Sequence, residues 1–221
     1  MRWPSVDTRR EFHGLTAVIL ENRCLRAVSS AGSRCEIQQI TDKLLDTDLL
    51  WNHPRVVPAK LPFGANYDDN WCGGWDELFP NDIPETVNGE TYPDHGEVRA
   101  AAWDFSLLEE AERAGVKFSC KTRICDVRLE KRIWLRAEDS TLRLECFLGN
   151  CSQSALPFDP AFFRACWLFG PFGGWRNLNA ALLEPSRGIL SNWRRAANDC
   201  TLRGVAARLK SLTDQRAAGM L

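Results

Sequence analysis

The chain has nine cysteines but no CxxC pair, and only three histidines, two tyrosines and two methionines. Cys120 and Cys125, like Cys146 and Cys151, stand five apart, which is not the usual zinc spacing. The odd cysteine count reads as reduced thiols, several packed as small hydrophobes. No apolar run approaches the ~20 residues of a membrane-spanning helix. The N-terminal stretch MRWPSVDTRREFHG lacks the apolar centre of a signal peptide, so a cytoplasmic home is the default expectation. Neither sign of charge is in excess: the formal net charge is -1, with acids and bases mixed along the chain. That balance excludes the basic footprint of a nucleic-acid binder or of a protein drawn to an anionic membrane. Low-complexity tracts and fixed-period repeats are also missing.

What is present is apolar and aromatic. Hydrophobic residues make up 44% of the 221, enough for a core. The length fits one larger all-β domain, 1–221. Short strand-like runs dominate. Leu15–Leu20 is apolar and β-branched, and Glu21-Asn22 ends it. Leu25–Ser29 alternates, and Gly32-Ser33 turns the chain into Cys35–Ile40. Val98–Leu107 places Trp103, Phe105 and Leu107 on one face of an expected strand. Val116–Ile124 alternates again, with Val116, Phe118, Cys120, Thr122 and Ile124 inward. Ile133–Ala137 and Thr141–Leu148 read as a hairpin. The pattern is that of antiparallel sheets with one face buried and one wet. Residues 202–212 fit helical spacing weakly.

The segment from Leu50 to about Pro93 is different. It has little periodicity and is rich in Pro, Gly, Asn and Asp. So long a loop in a compact domain is functional or disordered. Phe63, Trp71, Trp75 and Phe79 within it argue for order. Its centre, NWCGGWDELFPN, sets aromatic faces beside acids. A pyranose offers apolar C–H faces for stacking and a rim of hydroxyls for carboxylates and amides. Asn66, Trp71, Trp75, Asp76 and Glu77 provide that combination. The same composition also suits a Trp-rich plug at a sheet edge with acids capping turns. His95 lies in YPDHGE, where Asp94 and Glu97 are placed to orient a ring nitrogen. His13 and His53 have no such neighbours. Glu184 closes the apolar run AALLEP, where burial can tune a carboxylate towards base chemistry; an ordinary strand-end glutamate is the plainer alternative.

Taken together, HPRVVPAKLPFGANYDDNWCGGWDELFPN, YPDHGE and GGWRNLNAALLEPSRG resemble the galactose mutarotase-like, or aldose 1-epimerase, superfamily. LTAVILENRCLRAVSS and CEIQQITDKLLDTDLLW also match its opening strands. The resemblance covers roughly residues 15–158 and 172–188. It implies an antiparallel β-sandwich of the supersandwich type with a sugar cleft on one sheet. It implies interconversion of aldose anomers: a base takes the anomeric hydroxyl proton, an acid protonates the ring oxygen, and the ring opens and recloses. Glu184 matches the family's base and His95 its sugar-contacting histidine. Asn66, Trp75, Asp76, Glu77 and Glu97 would complete the binding site. The scheme calls for no cofactor and no metal, and the implied partner is a small aldose.

The sequence departs from that pattern after LGNCSQSALPF. The family continues into a segment with a second, acid-donating histidine and many further strands. This chain reaches FGGW almost at once, and no histidine follows His95. The general acid and part of the second sheet are therefore missing, as if the middle had been removed. Losing one acid–base partner costs about 10²–10⁴-fold in rate. A non-catalytic sugar binder and an inactive remnant are accordingly the alternatives, and a glycoside hydrolase a distant one. A sandwich cut in this way exposes sheet edges and invites self-association.

Overall fold

The computed structural model describes residues 4–32, 34–152, 167–169, 175–177 and 196–198. Within them the chain is an all-β, antiparallel, sandwich-like fold with almost no helix. Five strands form the first sheet as a simple meander: β1 (Ser5–Phe12), β2 (Leu15–Glu21), β3 (Leu25–Ser30), β4 (Ile37–Asp42) and β5 (Thr47–Asp48). The long loop follows. It contains one helical turn, α1 (Tyr67–Asn70), and a small ribbon, β6 (Glu85–Val87) with β7 (Glu90–Tyr92). Asn88 and Gly89 close that ribbon at φ 53° and 84°, as a two-residue hairpin with both residues left-handed requires. A second meander runs β8 (Asp104–Glu109), β9 (Arg113–Lys121), β10 (Val127–Arg136) and β11 (Arg143–Asn150). Two three-residue strands, β12 (Trp167–Phe169) and β13 (Trp175–Asn177), pair with each other, and β14 (Ala196–Asn198) adds to the free side of β11.

The two sheets close on one core. Val18, Leu20 and Ala27 from the first meet Val116, Phe118, Leu129, Ile133 and Leu135 from the second, with Trp75, Phe79 and Trp103 filling between. Burial in β10 alternates strictly from Val127 to Ile133, as a half-buried strand demands. Lys131 takes an inward position among these apolar side chains. Its Nζ donates to both oxygens of Glu77 at 2.7 Å and to the Cys35 carbonyl at 2.6 Å. One buried ammonium thus ties the second sheet to the long loop and to the approach to β4.

The strands expected at 15–20, 25–29 and 141–148 are found, each shifted or extended by a residue or two, and β10 starts well before Ile133. The run from Val98 to Leu107 is not one strand. Val98–Ala100 is a single 3₁₀ turn, and Trp103 Nε1 donates back to the Val98 carbonyl at 3.0 Å. Pairing begins only at Asp104. Trp103 enters the core, but Phe105 and Leu107 are 38% and 43% exposed, because β8 is an edge strand that nothing among the described residues covers. All seven described cysteines are free thiols. The expected helix at 202–212, Glu184, and the junction at 158–175 apart from β12 and the first residue of β13 lie outside the described residues.

Candidate functional site

The long loop reaches its place through two glycines that no other residue could replace. Gly73 and Gly74 have φ of 86° and 79°. A Cβ on Gly73 would sit 2.3 Å from the Trp51 carbonyl oxygen, and one on Gly74 2.7 Å from that of Ile37. The close approach lets Trp75 exchange both backbone hydrogen bonds with Ile37, at 2.8 and 2.9 Å. Trp75 itself packs into the core at 6% exposure. Asp76 follows, turned the other way into a polar cluster.

That cluster is built from β4, its preceding turn, α1 and the 3₁₀ turn. Arg34 Nε donates to Glu36 Oε1 at 2.7 Å, Gln38 Nε2 donates to Glu36 Oε2 at 2.7 Å, and the Cys72 thiol reaches the same oxygen at 3.6 Å. Arg99 lies beside Asp76, with Nε 3.9 Å from Oδ2, too long for a hydrogen bond. Both are buried, Arg99 at 4% exposure. Neither Asp76 Oδ2 nor Arg99 Nε and Nη2 has a hydrogen-bond partner. Buried donors and acceptors are almost always satisfied, which sets this loosely matched ion pair apart from the rest of the cluster.

Burial raises the Asp76 carboxyl to about 6; Glu36 adds to this, while Arg99, Arg34 and His95 oppose it. Burial also lowers the Arg99 guanidinium, with Arg34 acting in the same sense, and pushes the Cys72 thiol up to about 12. Tyr67 roofs the cluster. The Arg99 guanidinium carbon lies 4.4 Å from its ring centre, and desolvation followed by the Asp76 charge holds its phenol well above the ordinary value.

His95 stacks on Tyr67 with ring centres 3.5 Å apart and planes 7° from parallel. Trp71 continues the stack 6.3 Å from Tyr67, and Trp51 lies 5.0 Å beyond Trp71. His95 adopts φ 59°, an uncommon backbone for a non-glycine residue. Its Nδ1 is 2.9 Å from Asp94 Oδ1 and its Nε2 is 3.8 Å from Asp82 Oδ1, with 21% of the side chain exposed. The histidine is therefore the accessible edge of the cluster.

The residues expected in the site divide into two groups. Asp76 and His95 meet around Tyr67, and Asn66 stands exposed beside them as the cap of α1, its Oδ1 accepting from the Asp69 amide at 2.9 Å. Trp75, Glu77 and Glu97 are occupied elsewhere. Trp75 is in the core, Glu77 holds Lys131, and Glu97 accepts from the amides of Arg123, Ile124 and Cys125 at 2.6, 2.7 and 3.1 Å. Asp94, rather than Glu97, orients the His95 ring. Glu184 lies outside the described residues. Tyr67, Arg34 and Glu36 escaped the sequence reading. The signal for two of them is in RCEIQQ, where polar residues at 34, 36 and 38 alternate into the strand-like run Cys35–Ile40. His53, read as a residue without a functional role, uses Nδ1 to accept from the amides of Arg55 and Val56. Among the described residues no group of His, Cys, Asp and Glu could hold a metal ion, and no helix is long and apolar enough to cross a membrane.

No family model matches the sequence, and no curated protein does. Among solved structures, a TPR-domain-containing protein from Parabacteroides distasonis is similar at 14% identity and a TM-score of 0.47, over 70% of this chain and 23% of its own. A galactose 1-epimerase from Lactobacillus acidophilus is similar at 12% identity and a TM-score of 0.39, over 66% of this chain and 48% of its own. The chain thus spans about a quarter and about half of those two proteins. The likeness to the epimerase is a weak structural one.

Proposed function

We propose that the chain binds a small aldose at the Asp76–Arg99 cluster, in the manner of a mutarotase-like protein. The observation that carries this reading is the unfilled Asp76 Oδ2 facing two unfilled Arg99 donors in a buried setting. A sugar hydroxyl is both donor and acceptor, so one hydroxyl satisfies both sides, whereas a simple cation or anion satisfies only one. The ring stack ending at His95 supplies apolar faces for C–H surface, and the His95 edge, positioned by Asp94, supplies a further hydrogen bond. Access to the buried pair requires His95 and Tyr67 to move together, because the Arg99 guanidinium also lies against the Tyr67 ring.

Anomer interconversion is the activity proposed for that site, with His95 at the sugar and Glu184 as base. Glu184 enters through the resemblance of GGWRNLNAALLEPSRG alone. A purely binding role is the second reading, favoured by the lack of any histidine after His95. Magnetisation-transfer NMR on glucose and galactose separates the two, with the protein run beside its Glu184→Gln and His95→Gln variants. Exchange above the spontaneous rate that disappears in Glu184→Gln is the expected sign of a mutarotase. Saturable binding without added exchange, weakened in His95→Gln, identifies a sugar binder. No binding of either sugar up to tens of millimolar sinks the reading.

A further inference from the structure

The outward face of β9 and β10 carries an arrangement that folding alone does not favour. Registered pairs place Arg113 opposite Arg136, Lys117 opposite Arg132, and Lys121 opposite Arg128. All six point away from the core, because the alternate residues of both strands are the buried ones. Like charges directly opposite one another destabilise a sheet. One member of each pair is neutralised nearby: Arg113 by Glu110 at 2.7 Å, Lys121 by Asp126 at 2.7 Å, and Arg132 by Glu130. The other member, Arg136, Arg128 or Lys117, has no ion-pair or hydrogen-bonding side-chain partner among the described residues. The free cations therefore follow the strand axis at four-residue intervals, about 13 Å apart.

We propose that this face binds an acidic polysaccharide, a linear chain whose carboxylates are widely spaced. This inference is independent of the aldose site. Arginine and lysine at those intervals pair with the carboxylates. Within the β10 row Glu130 stands between Arg128 and Arg132, and Glu145 lies opposite Arg132 on β11. Glu130 is held by Arg132 and Glu145 by the Trp134 indole; their remaining lone pairs accept hydroxyl hydrogens from neutral sugar units, and a chain charged at every step, such as a nucleic acid, gains nothing from them. Nucleic-acid bases would also find no stacking platform. Trp134 is buried under Arg113 at 4.0 Å, and Arg132 covers Phe147 at 4.6 Å. A polypeptide strand would find no free backbone groups, because β9 and β10 are both paired on each side.

The test uses the full chain and a fluorescently labelled hyaluronan oligosaccharide, with anisotropy as readout. Saturable binding that weakens as salt rises and falls at least tenfold in the Lys117→Gln/Arg128→Gln/Arg136→Gln variant is the expected result. A melt checks that the triple variant folds, and Arg128→Gln alone is expected to show an intermediate loss. Three outcomes overturn the proposal: no binding at low salt, equal binding by the triple variant, or competition by neutral dextran. Tighter binding of an oligothymidylate of equal charge also overturns it, in favour of nucleic acid.

Discussion

At the scale of single residues, the most informative group is Asp76. Its folded value is about 6, against an ordinary 3.8. The native state therefore holds this proton over a range where the unfolded chain has released it. Stability contributed by the protonated form is intact below about pH 4, is lost as pH rises towards about 6, and stays lost above that. At 1.36 kcal/mol per tenfold in acidity the full difference is about 3 kcal/mol. Asp76→Asn cannot titrate, so its stability relative to the native protein should climb by a comparable amount between pH 4 and pH 6. Urea melts of both proteins across that range check this. A flat difference would mean that Asp76 is solvated and that the buried pair with Arg99 is open. None of this was legible beforehand. The sequence marks Asp76 as an acid among aromatics, but it cannot say that Arg99, 23 positions on, is buried beside it, or that Glu77 next door is spent on Lys131. Neighbouring acids in one loop point opposite ways, and only the partner across the core decides which is available.

At the scale of elements, sequence periodicity served well where one face of a strand is wet and the other dry. Val116, Phe118 and Cys120 in β9, and Leu144 and Cys146 in β11, are buried as alternation requires. It failed at Val98–Leu107, where a 3₁₀ turn and an uncovered edge strand share one apolar run. The long loop was legible as ordered through its aromatics, but its path depends on backbone approaches. One of these holds His95 in place. Gly96 has φ 77°, and a Cβ there would lie 2.1 Å from the Phe79 carbonyl oxygen. The flanking Glu97 amide donates to that same oxygen at 2.7 Å. Gly96→Ala should therefore cost more than about 1 kcal/mol, the least expected where alanine is forced to positive φ. It should also pull His95 off Tyr67. The His95 ring protons report this directly, since the stacked tyrosine shifts their resonances. Unchanged ring shifts with unchanged stability would show that the loop does not depend on this crossing.

At the scale of the whole molecule, the question is what the two sheets leave uncovered. Phe105 and Leu107 lie on the core side of β8, opposite Phe118 and Val116, yet both are exposed. Among the described residues, the inner surface of the sandwich thus runs out to an edge strand with apolar side chains and backbone groups that no strand pairs. Such an edge is a template for another strand. The simplest cover is a second copy pairing β8 with β8, which would bury both side chains and extend the sheet across the contact. The expected behaviour is reversible self-association that grows with concentration, seen as a rising weight-average mass in sedimentation equilibrium. Leu107→Lys should return the protein to monomers, because a lysine there would have to enter the new apolar contact. Its stability should fall by about 1 kcal/mol, because Leu107 is more than half buried opposite Val116. A protein that is monomeric at every concentration would show that the edge is closed within one chain. A variant that associates as before would move the contact away from β8, leaving the core-facing side of that strand to pack against something other than its own copy.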